Sequence, residues 1–462
     1  MSDSPTGARR GHPAVAWLVI AGVVAFLLYR NATRIGHDDA AELVNMRVQG
    51  RLFVGMKEAG LPGMDGATLL KQLREHLDGE KAERHAYSKQ LRLAVLAGEL
   101  VGPKEALEDL LALERKRVNG DLEASPRSVE AAALLLRLYR SCEDGREPDL
   151  SASQQAGLRS GLGWFADLAL APEGGDPQAR ARILGQAYRS VFGFFALLLG
   201  GAACLFAGVA LLIAFAYFAA LGRLGGMAVS GRGGLYAEAF AAYMALYVGL
   251  NYGMRFLPEG WAGLWLSGVA MVLSLAALAW PVVRGVPWRV VRDDLGLHLG
   301  GQPLLEALTG VACYLCAVPV LAVGVLLIAL LTRGQPSGSG PTHPVIGVAL
   351  EEGWWVWAQV FVVACVLAPV VEEAMFRGAL YRHLREAGSA WGRVASVAFA
   401  AAASGLVFAV IHPQGWLAVP ALTGLAVVFA LAREWRGTLL PPMVAHGINN
   451  GVITLMLLMM AG

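Results

Sequence analysis

Charge is scarce in this chain. Aspartate, glutamate, lysine and arginine make up 16% of its 462 residues, against 56% hydrophobic residues, and the mean hydropathy is +0.51. That balance excludes a soluble enzyme of ordinary composition and indicates a polytopic membrane protein. Cysteine is scarcer still: there are five, of which only Cys142 lies outside apolar segments. One isolated thiol excludes an internal disulfide framework. Cys313 and Cys316 form a CxxC, but within an apolar helix the pair reads as packing rather than redox or zinc chemistry. A net charge of +2 gives no reason to expect a nucleic-acid partner.

The charge that is present is unevenly spread. Residues 30–189 hold 24 of the 36 acidic residues and every lysine. Before them, "GARRGHPAVAWLVIAGVVAFLLYR" places two arginines ahead of an apolar run with no small-x-small cleavage site after it, so 1–30 reads as an uncleaved transmembrane anchor. Stretches such as "PKEALEDLLALERKRV" and "SPRSVEAAALLLRLYRS" space leucine and alanine three and four apart behind Pro or Ser starts and ahead of Gly stops. Residues 31–189 are therefore expected to form an inserted, extramembrane all-helical domain. His37, His76 and His85 read there as solvated or packing side chains. A partner protein or substrate could be recruited at this domain.

From 190 onward apolar segments follow in series, near 191–220, 235–253, 262–283, 304–331, 354–376, 394–412, 416–432 and 438–460. With the anchor, this predicts an all-α, polytopic helical membrane protein of about 8–9 transmembrane helices. Residues 190–284 supply additional helices ahead of a domain at 285–462. Thirteen arginines fall in the short segments on the N-terminal side of the membrane, against Arg255 and Arg333 on the other. That bias puts the N-terminus in the cytoplasm and the 31–189 domain outside it. An Ala/Gly/Arg-rich composition suits a bacterial inner membrane.

Glu372 and Glu373 are embedded in "APVVEEAMFRGALYRHL", where an unused carboxylate costs several kcal/mol. Glu373 and Arg377 are four apart and can pair on one helix face, leaving Glu372 to face an internal cavity. Phe408 and His412 are also four apart, just before Pro413 ends a helix. His446 and Asn450 share a face in "HGINN", with Asn449 directed elsewhere. Glu351-Glu352 reads as a solvated helix start, Glu238 has no polar company, and Asn251 shares no face with another polar residue. Each pair alone has a structural explanation, but two acids, two histidines and an asparagine within about 80 apolar residues indicate an intramembrane polar site. These residue types suit hydrolysis. A desolvated carboxylate accepts a proton from water, an imidazole shares it, and His and Asn donate to an oxyanion. No serine or cysteine nucleophile has a base beside it.

EExxxR at 372–377, FxxxH at 408–412 and HxxxN at 446–450, in this order on successive late segments, resemble the three motifs of the CPBP family, the CAAX proteases and bacteriocin-processing enzymes. The resemblance covers about 285–460, and "RDDLGL" at 292–297 resembles a common lead-in. It implies an intramembrane endopeptidase with Glu372 as catalytic acid/base, His412 as its partner in activating water, and His446 and Asn450 at the oxyanion. Glu373, Arg377 and Phe408 are then supporting residues. The family has carried the label metalloprotease, and a zinc version would use Glu372, His412 and His446. A metal-free mechanism is favoured, so no cofactor is expected. The substrate would be a membrane-associated protein or peptide, with membrane lipid around the chain. A non-catalytic scaffold or immunity protein of the same fold, and an ion-coupled transporter, are the rival readings. Simple topology leaves a conflict, placing Glu372 and His446 near the cytoplasmic side but His412 near the outer end of its helix.

Overall fold

The computed structural model describes residues 11–33, 39–77, 86–146, 150–256, 264–333 and 353–461. Among them there are helices and connecting turns and no strands. His37 and His85, the side chain of His76, Glu351-Glu352 and Arg9-Arg10 lie outside the described residues. The chain divides into two units, one built chiefly from 37–200 and the other from 1–36, 201–333 and 341–457.

The first unit packs short amphipathic helices: α2 (Asp39–Glu58), α3 (Gly66–Leu77), α4 (Ala86–Leu100), α5 (Pro103–Val118), α6 (Pro126–Glu143), α7 (Ala152–Leu162) and α8 (Trp164–Leu170), with the start of α9 (Pro177–Ala220). The start signals work as the sequence indicates. Pro103 opens α5, Ser125 caps α6 ahead of Pro126, and Ser151 and Gln154 form a reciprocal capping box on α7. Their apolar faces meet in a core that includes Leu91, Val95, Leu110, Leu135, Leu138 and Phe165. Arg180 bridges Glu99 at 2.5 Å and Glu58 at 3.2 Å.

The second unit holds α1 (Pro13–Thr33), the end of α9, α10 (Gly233–Gly253), α11 (Leu264–Val283), α12 (Trp288–Leu295), α13 (Pro303–Leu331), α14 (Trp354–Ala387), α15 (Arg393–Ile411), α16 (Trp416–Arg436) and α17 (Leu440–Ala461). Eight of the described helices are long and apolar enough to cross a membrane. The protein is a polytopic helical membrane protein. α10, read from the sequence as a further span, is a helix that buries Tyr236, Phe240 and Tyr243. Large apolar side chains such as Phe206, Leu326 and Ile453 remain exposed, as lipid-facing positions require. Small residues let helices approach: a Cβ on Gly324 would stand 2.5 Å from the Ala421 backbone of α16.

Two expectations change. The helix expected at 354–376 continues to Ala387, so Glu372 lies near its middle rather than at its end. Glu238 has company after all. It accepts hydrogen bonds from the His12 backbone N–H at 2.6 Å, Trp280 Nε1 at 2.7 Å and Arg284 at 2.8 Å. Those partners, the residue before α1, Trp280 of α11 and the residue after α11, are distant in sequence, so local spacing does not reveal them.

The RDDLGL segment joins several elements. Asp294 accepts from Arg232 at 2.7 and 3.0 Å, from Tyr236 at 2.6 Å and from Arg382 at 2.9 Å. Its carbonyl accepts from Arg382 and Arg433. Gly296 then turns left-handed, with φ +76°, and a Cβ there would stand 2.6 Å from the Arg433 guanidinium.

Candidate active site

α14 is not a regular α-helix. Its hydrogen bonding widens to π-helical over Val362–Leu367 and again over Glu373–Leu380, and such turns gather at functional sites. Pro369 supplies a local cause. The Ala368 N–H reaches back five residues to the Val363 carbonyl. In that register the Ala364 carbonyl would receive the N–H of residue 369, which proline lacks. Asn450 supplies the missing donor, its Nδ2 lying 2.7 Å from the Ala364 oxygen.

Glu372, His412 and His446 converge. Glu372 Oε2 lies 3.9 Å from His412 Nε2 and 3.8 Å from His446 Nε2. That oxygen is buried and has no hydrogen-bond partner. Both imidazoles are oriented through their other nitrogen. His412 Nδ1 is 2.5 Å from the Phe408 carbonyl, and His446 Nδ1 is 2.8 Å from Glu373 Oε1. A carbonyl accepts only, so Nδ1 of His412 carries the proton and, in the neutral ring, Nε2 presents a lone pair toward Glu372. His412 caps the C-terminus of α15, and Asn31 of α1 donates to its carbonyl at 3.3 Å.

Glu373 and Arg377 pair at 2.9 Å with both side chains fully buried. The Arg377 guanidinium lies over the rings of Phe408, at 4.6 Å, and Phe429, at 5.4 Å. Phe408 also meets Phe376 edge-on at 5.1 Å and His412 at 4.1 Å between ring centres, while Phe429 lies 5.5 Å from His446. This aromatic wall keeps the charges in a dry setting, where each interaction is stronger than in water.

Residues of the three motifs thus meet at one place in the structure. Several participants carry no signal in the sequence. Phe376 and Phe429 read as ordinary core. Asn449, expected to point elsewhere, donates to Asn450 Oδ1 at 3.2 Å. Asn450 itself is held by a backbone carbonyl, and Pro369 in mid-helix was the available clue.

The zinc alternative can be tested on these donors. Among the described residues no group of three His, Cys, Asp or Glu is arranged to hold a metal ion. Bonds of about 2 Å in a tetrahedral set place donors about 3.3 Å apart, closer than the 3.8 and 3.9 Å found here. These separations are wider than a tetrahedral zinc set, and the reaction proposed for the site uses the side chains and water alone.

Residues 353–452 match the family model described as Type II CAAX prenyl endopeptidase Rce1-like. Over 90 residues, 20% of this chain, the sequence is 29% identical to "Membrane-embedded CAAX protease MroQ" of Staphylococcus aureus (strain USA300). The match spans 36% of that relative's length. No solved structure matches.

Proposed function

We propose that this chain, whose residues 353–452 form a domain of the CPBP family, is an intramembrane endopeptidase. It would hydrolyse a peptide bond in a membrane-associated protein or peptide with water activated directly by Glu372. The observation that carries the proposal is the pair of acceptors, Glu372 Oε2 and His412 Nε2, facing each other 3.9 Å apart. Two acceptors do not bond each other. A water that donates a hydrogen bond to Glu372 Oε2 gives that buried oxygen the partner it lacks and has its own lone pairs free to attack a carbonyl carbon.

Attack forms the C–O bond and moves charge onto the carbonyl oxygen. His446 and Asn450 are assigned to that oxyanion. Because Nδ1–H of His446 faces Glu373, its Nε2 donates only when the ring is doubly protonated. Collapse breaks the C–N bond, and the proton taken by Glu372 and His412 passes to the leaving amine. Each oxyanion donor is worth about 3–4 kcal/mol in such reactions.

In the membrane, the arginine distribution favours a cytoplasmic N-terminus and a bacterial inner-membrane setting. The 31–189 domain would then lie outside the cytoplasm, available to a substrate or partner. The test is mass spectrometry of a membrane-peptide library incubated with the purified chain. Paired fragments whose masses sum to the parent plus one water support hydrolysis. Recovery of intact peptides only, in conditions where the chain stays folded, contradicts it.

A further inference from the structure

Buried tyrosine hydroxyls are normally hydrogen-bonded, and in the membrane unit Tyr236 and Tyr381 obey this. Tyr236 donates to Asp294 at 2.6 Å and Tyr381 to Glu434 at 3.0 Å. About two and three turns after Tyr236 on the same helix, Tyr243 and Tyr247 make no such bond. Tyr243 is 3% exposed and Tyr247 is half-buried, and neither hydroxyl, each keeping some exposed surface, has a hydrogen-bond partner among the described residues. Their rings stack at 6.1 Å with 20° between planes, and Tyr243 meets Phe376 edge-on at 6.5 Å. Phe376 in turn abuts Phe408, the ring beside His412. The two tyrosines thus extend the aromatic wall of the site.

We infer that Tyr243 and Tyr247 are substrate-contacting residues, whose phenolic hydroxyls donate hydrogen bonds to backbone carbonyls of the peptide lying against Glu372. The inference rests on the peptidase reading and adds to it a second helix. α10 lies outside the matched segment 353–452, so these contacts belong to this chain's own surroundings of the site. An extended peptide offers carbonyl acceptors on either side of the scissile bond. Donors that have no competing partner in the free protein hold such a strand without breaking an internal bond. The packing uses the ring faces and edges, so phenylalanine keeps it and removes the donors alone. Asn251 anchors the end of the same helix by donating to the Tyr247 carbonyl at 2.8 Å.

The experiment compares Tyr243→Phe, Tyr247→Phe and the double variant with the wild-type chain in detergent. It follows hydrolysis of a membrane peptide, and in a Glu372→Gln background it follows binding of the same peptide by fluorescence anisotropy. The expected result is a kcat/KM lowered about tenfold per hydroxyl, a matching loss of peptide affinity in the Glu372→Gln background, and an unchanged melting temperature. A double variant with wild-type kcat/KM and affinity would overturn the inference. If the wild type binds the peptide without cutting it, the peptidase reading falls, while unchanged affinity in the double variant would separately overturn the tyrosine assignment. A wild type that neither cuts nor binds overturns both.

Discussion

Glu373 Oε1 serves two partners at once: it accepts from Arg377 at 2.9 Å and from Nδ1 of His446 at 2.8 Å. The second glutamate of the EE pair is thus linked to the third motif as well as to its own helix. It fixes the His446 ring so that Nε2 faces Glu372.

This link separates the two glutamates experimentally. Glu372→Gln is expected to lower kcat by at least about 10²-fold, the range of a lost general base, with the melting temperature preserved. Glu373→Gln keeps an acceptor at Nδ1 but loses the carboxylate charge paired with Arg377. It is expected to lower kcat by about tenfold or more with little change in KM. Glu373→Ala leaves Arg377 buried without its counter-charge and should cost about 3–5 kcal/mol of stability. Steady-state kinetics and thermal unfolding in one detergent distinguish these outcomes.

Asn450 and Pro369 are expected to act as a couple. Pro369→Ala restores an N–H that can reach the Ala364 carbonyl, competing with Asn450 for it. Asn450→Ala removes the proposed oxyanion donor and should cost about 10²–10³ in kcat. Pro369→Ala should lower kcat less, and in the Asn450→Ala background it should have almost no further effect on kcat. A double variant whose losses simply multiply would contradict the coupling.

Asp294 lies outside the spans and offers a pH test. Burial pushes its carboxyl up, but hydrogen bonds from Arg232 and Tyr236 and the charges of Arg382 and Arg232 outweigh it, so its pKa falls below the ordinary carboxylate value. Stability from a depressed carboxylate is fully present above that ordinary value and is lost as pH falls through the lowered one. Asp294→Asn should therefore destabilise the chain at pH 7 by about 3 kcal/mol. The gap from wild type should narrow as the pH drops below about 4. Melting curves that stay parallel down to acid would contradict this.

The sequence reveals these features unevenly, for physical reasons. Helices with strong periodicity and explicit caps, such as Pro103–Val118 and Pro126–Glu143, appear within a residue or two of where they are read. The pairing of Glu373 with Arg377 follows from helical spacing alone. What joins Glu373 to His446, Asn450 to Ala364 and Glu238 to His12, Trp280 and Arg284 is tertiary contact, to which no local period corresponds. The place of Glu372 along its helix is hidden in the sequence because the arginines after Phe376 suggest a membrane boundary. In the fold Arg377 and Arg382 are buried in ion pairs and the helix runs on.

The central claim is that Glu372 activates water without a metal. Its most direct test is the initial rate of peptide cleavage by the wild-type chain and by Glu372→Gln, each measured with and without a strong zinc chelator, followed by zinc add-back. The account predicts a wild-type rate that the chelator leaves unchanged and a Glu372→Gln rate that is nearly zero in both conditions. Wild-type activity abolished by the chelator and restored by zinc would contradict it, as would a Glu372→Gln chain that cuts at the wild-type rate.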